Sequence, residues 1–316
     1  MKANIGLVGC GYWGKNLVRN FSNLNALKSI CDSNKDLASK LSAEFSIPTM
    51  TFDEMLNDNG IEAVVIASSA DSHASLALAC LNANKHIFIE KPIAMNINDA
   101  NLIVEKAEET GLKVMIGHIM HYHPIFKKLK EMTLSGDIGD IRYIYSNRMA
   151  FGKFRNIEDV IYSIAPHDVS MILSLMDEFP KKISSNKSSF LQEEINDIAA
   201  INLEFANNRK AHINVSWLNP FKEQKLVVIG SDGMIVFDDT IEWKKKLVIY
   251  KHKIDWHDNF PIPNAADPEY IEVNEKEPLN EECKYFINLI NSDIANITDA
   301  KEGRNVLKVL EAARKF

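Results

Sequence analysis

The stretch Asn4-Ile5-Gly6-Leu7-Val8-Gly9-Cys10-Gly11-Tyr12-Trp13-Gly14 decides the fold. A short apolar run ends in three glycines spaced G-x-G-x-x-G, and helix-spaced apolar residues follow over positions 15–24. In this pattern Gly9 permits a tight turn, Gly11 lets the backbone approach a pyrophosphate and Gly14 allows a helix to pack closely on its strand. The helix N-terminus, beginning near Tyr12, supplies oriented N–H donors for an anion. Asp32 ends the second apolar run roughly 20 residues on, where a carboxylate accepts hydrogen bonds from ribose hydroxyls and repels a 2′-phosphate. Together these residues predict a dinucleotide site that prefers NAD to NADP. Trp13 either shelters the mouth of that site or packs, and Cys10 reads as a small filler.

Working outward, apolar runs at 5–8, 27–31, 63–67, 86–89 and 114–117 alternate with helical patterns at 15–24, 35–45, 74–82 and 97–110. Such alternation predicts an α/β Rossmann domain, a doubly wound parallel sheet, over residues 1–120. Asp71-Ser72 and Asn98-Asp99 read as start signals for two of its helices. Beyond Pro124 a helix at 125–134 leads into strand-like stretches at 141–150, 198–205, 210–217, 225–230, 234–237 and 246–250, with a helix at 167–176 among them. Asn207-Asn208 and Ser231-Asp232-Gly233 read as hairpin turns. Residues 121–316 are therefore expected to form an α+β domain on a mostly antiparallel open sheet that binds substrate and self-associates. Residues 255–280, with Pro261, Pro263, Pro268 and Pro278, read as a long surface loop. Helices at 281–290 and 300–315 are expected to pack back on the first domain.

The 316 residues suit two domains with separate cores. A net charge of −7 argues against a nucleic-acid partner, which needs a basic face. No run approaches the ~18 apolar residues of a membrane span, and no basic and apolar leader precedes the first strand. Cys10, Cys31, Cys80 and Cys283 lack C-x-x-C spacing and read as thiols in a reducing compartment, so the expected location is the cytoplasm. A half-apolar free sheet face in the second domain predicts a homodimer or homotetramer.

Loops at the C-terminal edge of a doubly wound sheet line the cofactor crevice. Ser68 and Ser69 stand there as candidate ribose or phosphate contacts, and His73 as a cofactor contact or a helix cap. Ile89-Glu90-Lys91-Pro92 follows another strand to the same edge. A lysine there, near an oxidised nicotinamide cation, has its proton affinity lowered and becomes a proton-transfer group. Glu90 steadies the ammonium or caps a backbone group. His118, His121 and His123 lack metal-ligand spacing, so no metal is expected.

At these residues the chain resembles the glucose–fructose oxidoreductase, inositol dehydrogenase and rhizopine-catabolism (Gfo/Idh/MocA) family, over essentially its whole length. The resemblance rests on Gly9–Gly14, Asp32, the serine loop ending at His73, Glu90-Lys91-Pro92 and a later histidine helix. It implies that Lys91 works with an Asp-x-x-x-His pair. The matching segment, Ser163-Ile164-Ala165-Pro166-His167-Asp168, supplies His167 but has Ser163 in the aspartate position. Asp168 is the candidate replacement, although the next residue along faces another direction. The implied chemistry is hydride transfer from a sugar carbinol to NAD, with either His167 or Lys91 as the base.

The resemblance also implies that Tyr122 and His123 wall the substrate pocket. Arg148, Lys153 and Arg155 flank Phe151-Gly152, a fork and an aromatic suited to a diphosphate and a uracil ring. This cluster is similar to that of family members acting on nucleotide-linked amino sugars. UDP-N-acetylglucosamine or its uronate, oxidised at C3 to a 3-keto sugar, is thus the expected substrate. An aminotransferase would consume the ketone in making 3-amino sugars for lipid A or a surface polysaccharide. The competing readings are an inositol or free-sugar dehydrogenase, and a non-catalytic NAD-binding regulator.

Overall fold

The computed structural model describes residues 3–152, 154–156 and 158–315. They divide into two compact units: the chain up to Tyr122 with Glu277–Lys308, and His123–Lys276 with the residues from Val309 onward.

The first unit begins with β1 (Ile5–Val8), α1 (Gly14–Asn23), β2 (Leu27–Cys31), α2 (Lys35–Phe45) and α3 (Phe52–Asn57). It continues through β3 (Ala63–Ile66), α4 (His73–Asn82), β4 (His86–Ile89), α5 (Ile97–Thr110) and β5 (Val114–Ile116). The five strands form one parallel sheet in the order β2-β1-β3-β4-β5. β1 and β3 are buried along their whole length, as unbroken apolar strands covered on both faces must be.

Helix starts follow local chemistry. The Asn34 side chain accepts from Leu37 N, and Thr51 with Glu54 forms a reciprocal capping box. Three sequence signals shift. The cap of α5 is Asn96, which accepts from Asp99 N, rather than the Asn98-Asp99 pair inside the helix. α4 has no side-chain cap from Ser72, because Ala70–Ser72 forms a 3-10 turn of its own. α1 begins at Gly14, two residues later than the glycine pattern alone suggested.

The second unit starts with α6 (Pro124–Leu134), β6 (Ile141–Phe151), α7 (Val160–Ile164) and α8 (Pro166–Met176). Strands β7 (Lys182–Ser188), β8 (Ile198–Glu204), β9 (Lys210–Ser216), β10 (Leu218–Gly230), β11 (Met234–Asp238) and β12 (Leu247–Tyr250) follow. Then come β13 (Lys253–His257), β14 (Phe260–Asn264) and β15 (Glu269–Tyr270). An eight-stranded sheet runs β15-β12-β11-β10-β6-β9-β8-β7, antiparallel except between β6 and β9. The fold is therefore a Rossmann domain followed by an α+β domain. Asn207-Asn208 and Ser231-Asp232-Gly233 do join antiparallel neighbours.

The stretch expected as a long loop instead holds β13 paired with β14, and β15 at the sheet edge. Asp258 and Asn259 turn that hairpin with φ of 47° and 63°, a conformation that Asp and Asn tolerate. Pro261 and Pro263 are two residues apart, so both missing N–H groups fall on one unpaired edge.

The two closing helices are α9 (Pro278–Asn291) and α10 (Ala300–Lys315). α9 lies in the first unit's core, where Phe286 packs edge-on against Phe21 and Phe88 at 6.3 and 5.7 Å between ring centroids.

Candidate active site

β1 delivers the glycine turn to the C-terminal edge of the parallel sheet. Gly9 has φ of 94°, and a Cβ there would lie 2.5 Å from the Ala67 carbonyl carbon, so no side chain fits between the β1 and β3 ends. A Cβ on Gly14 would collide with the Gly9 carbonyl oxygen, whereas one on Gly11 would meet nothing within 4 Å. The turn is thus closed on its protein side and open at Gly11, which fits a backbone approached by a dinucleotide pyrophosphate.

Asp32 is held by two backbone donors, Cys10 N at 2.5 Å to Oδ2 and Asn34 N at 2.7 Å to Oδ1. These bonds fix a carboxylate at the end of β2, beside a cleft of about 510 Å³ bordered by Ser33, Lys35, Ala38 and Thr51. Cys10 is fully enclosed, and burial, with the Asp32 and Cys31 charges adding to it, pushes its thiol up to about 12. It is an inert filler. Tyr12 is 74% exposed, with the Lys15 ammonium 5.5 Å from its ring centre.

The end of β4 is tied to this turn. Trp13 Nε1 donates to Glu90 Oε1 at 2.6 Å, and Lys91 N reaches Glu90 Oε2 at 3.3 Å. Burial pushes the Glu90 carboxyl up to about 7, against the opposing pull of the Trp13 N–H and the Lys91 charge. Lys91 itself is half-buried.

Ser68 and Ser69 are spent largely on their own loop. The Ser68 hydroxyl lies 2.7 Å from that of Ser72, which in turn donates to the Ser69 carbonyl. His73, a candidate cofactor contact, is 1% exposed. Its Nδ1 lies 2.7 Å from the Pro92 carbonyl and its Nε2 3.2 Å from the Ser68 carbonyl. Burial lowers its proton affinity, so the neutral ring donates through the nearer Nδ1. His73 braces the loop behind Lys91 rather than presenting its ring to a ligand.

Two substrate-wall candidates are likewise corrected. Tyr122 is fully enclosed, its hydroxyl 2.7 Å from Thr298 Oγ1. His123 caps α6 by accepting from Ile125 N at 3.1 Å, stacks on Trp243, and faces Asp239 at 3.5 Å. Both side chains are structural because burial and partners already occupy their polar atoms. Contacts from far along the chain escaped the sequence entirely. Glu302 on α10 lies 2.6 Å from His118 Nδ1, giving the histidine cluster a carboxylate partner that no local spacing announces.

In the second unit, α8 places Pro166 in its first turn with His167 next to it, half-buried. Asp168 points elsewhere: it is 1% exposed, accepts from the Ser146 hydroxyl at 2.5 Å and pairs with Arg148 Nε at 2.6 Å. The structure joins Asp168 to Arg148, two residues that the sequence assigned to different tasks. Arg155 is exposed, Phe151 and Phe154 meet edge-on at 5.8 Å, and Lys153 lies outside the described residues.

Comparison with known proteins agrees with this geometry. The oxidoreductase family model for an NAD-binding Rossmann fold matches residues 3–118, and the GFO/IDH/MocA C-terminal domain model matches residues 126–236. The chain belongs to the GFO/IDH/MocA family. It is an NAD-dependent oxidoreductase. The myo-inositol 2-dehydrogenase of Thermotoga maritima is 27% identical over 75% of this chain and 76% of its own length. The UDP-N-acetylglucosamine 3-dehydrogenase of Acidithiobacillus ferrooxidans is 24% identical over 96% of this chain and 93% of its own. A solved structure of the latter superposes with a TM-score of 0.88, covering 100% of this chain and 97% of that one at 22% identity, a likeness of fold.

Proposed function

We propose that this chain oxidises a nucleotide-linked sugar, foremost UDP-N-acetylglucosamine or its uronate, at C3 to the 3-keto sugar. The observation that carries the reading is the Glu-Lys-Pro loop. It brings Lys91 to the sheet edge beside the cofactor turn, in a chain alignable almost end to end with a UDP-N-acetylglucosamine 3-dehydrogenase. The exposed Phe151–Phe154 pair with Arg155 adds an aromatic and cationic surface in the second unit, suited to a uridine diphosphate.

Bound NAD⁺ supplies the hydride acceptor. The chain's own residues bind, orient and move one proton. Gly9, Gly11, Trp13, Gly14 and Asp32 hold the dinucleotide. As the carbinol C–H leaves with its electron pair, the hydroxyl proton passes to Lys91 or His167, and the other group hydrogen-bonds the developing alkoxide. The ketone so formed suits a transaminating partner that makes 3-amino sugars. The four free cysteines support a reducing compartment, the cytoplasm, as the location. The sheet surface that bears Tyr143 and Tyr145 is the self-association face of a homodimer or homotetramer, an idea that sedimentation as monomer alone would sink.

The direct test follows NADH absorbance with NAD⁺ and a panel of UDP-sugars, inositols and free hexoses. Saturable turnover of UDP-N-acetylglucosamine or its uronate, with a 3-keto product, is expected. Saturation by inositol with no response to UDP-sugars would replace the reading, and silence across the panel would favour an NAD-binding regulator.

A further inference from the structure

α9 buries the stripe Leu279, Glu282, Cys283, Phe286 and Ile287, spaced as one helical face. Glu282 stands in the middle of it. It is 0% exposed, and neither carboxyl oxygen has a hydrogen-bond partner among the described residues. A carboxyl in an apolar stripe breaks the pattern that otherwise builds this helix, and such breaks concentrate where a chain needs chemistry rather than stability.

Glu90 is its charged neighbour. Room for the Glu90 carboxyl depends on Gly117, where a Cβ would sit 3.0 Å from both Cδ and Oε2. The groups facing Glu90 are the Trp13 indole from the glycine turn, Lys91 beside it, His118 after β5 and Glu282 from α9, with Cys283 next to the latter. Two carboxylates in one dry compartment do not both ionise. The single charge belongs on Glu90, which has two N–H donors, while Glu282 has none and keeps its proton.

The strand order also sets a direction. A dinucleotide held by Asp32 at β2 and by the glycine turn at β1 continues over the ends of β3 and β4, where Glu90 and Lys91 stand. We propose that Glu90, with a permanently protonated Glu282 beside it, is a buried acid that senses the charge of the nicotinamide ring, favouring NAD⁺ over NADH and releasing a proton when NAD⁺ binds. The inference rests on the placement of Lys91 at the nicotinamide end of the site, as in the proposed function.

The sign is fixed by electrostatics. The oxidised ring is a cation and lowers the proton affinity of Glu90, which burial pushes up to about 7. NAD⁺ affinity therefore rises as pH increases toward that value and levels off above it, while NADH affinity, without the ring charge, stays flat.

The test is calorimetric titration of the full chain with NAD⁺ and NADH from pH 6 to 8.5, in buffers of different ionisation enthalpy. The wild-type protein is expected to release a fraction of a proton per NAD⁺ and none per NADH. E90Q should lose this release, with its preference for NAD⁺ over NADH falling roughly fivefold. E282Q, whose amide stands in for a protonated acid, should retain the release. W13F, which removes a donor that holds Glu90 charged, should move the midpoint to higher pH. Release that survives in E90Q, or vanishes in E282Q alone, overturns the proposal. Because the readout needs no sugar, release with no sugar turnover would fail only the substrate reading. Turnover without release would fail only this inference.

Discussion

Along the C-terminal edge of the parallel sheet the polar groups are arranged mainly by backbone. Asp32 is held by two peptide N–H groups, Glu90 by an indole and a peptide, and His73 faces two carbonyls. Around Asp168 the arrangement is the reverse: side chains hold one another, the Ser146 hydroxyl and Arg148 Nε both donating to a single buried carboxylate. A cluster held by backbone keeps its shape when one side chain is removed. A cluster built of side chains does not, because each loss strands a buried partner. The first region should therefore respond to mutation in rate, and the second in stability.

Lys91→Ala and His167→Ala sharpen this contrast most. Removing a proposed proton-transfer group is expected to lower kcat by about 10²–10⁴, with NAD⁺ affinity and urea midpoint near wild type. The pH profile of the surviving activity then separates the base from its partner, since the variant lacking the base loses the limb that reports its ionisation. Lys91→Ala that unfolds, or that turns over normally, would break the comparison.

Asp168→Ala is the counterpart. It leaves a mostly buried Arg148 cation without its acceptor, the Ser146 hydroxyl keeping only the Lys225 carbonyl at 3.3 Å, which should cost about 3–5 kcal/mol of stability. Urea titration should show a lowered midpoint with an unchanged slope. Asp168→Asn, which keeps the shape, should lose less. A variant of normal stability whose kcat falls as far as that of Lys91→Ala would return Asp168 to the catalytic role that the sequence suggested.

The same contrast explains what the sequence could disclose. The glycine turn, Asp32 and Lys91 were legible because each proposed role needs a residue type at a set distance from a strand end, and strands announce themselves by apolar runs. Gly9 is the plainest instance, since the backbone of Ala67 leaves no space for a side chain. Arg148 was misjudged because its partner comes from a helix 20 residues on, and charge beside an aromatic looks alike whether the charge is free or paired. Glu282 lies almost two hundred residues beyond Glu90 and was not singled out from the sequence, its one signal being intrusion into an apolar helical stripe. β7, whose sequence is largely polar, escaped because an edge strand needs no apolar alternation, and β14 because its prolines argue against any strand but an unpaired edge.

Tyr122→Phe makes the smallest and most discriminating cut. The resemblance to sugar-oxidising enzymes made this tyrosine a pocket wall, whereas its hydroxyl lies against Thr298, whose own side chain is 0% exposed. Deleting the hydroxyl removes one buried neutral hydrogen bond and leaves the ring in place against Tyr285 at 5.0 Å. A loss of about 1 kcal/mol in stability is expected, with kcat/KM for the sugar unchanged. A tenfold rise in KM at normal stability would mean that the hydroxyl turns to substrate in the working enzyme. In that case His73 and His123, candidate contacts that the structure also encloses, call for the same test.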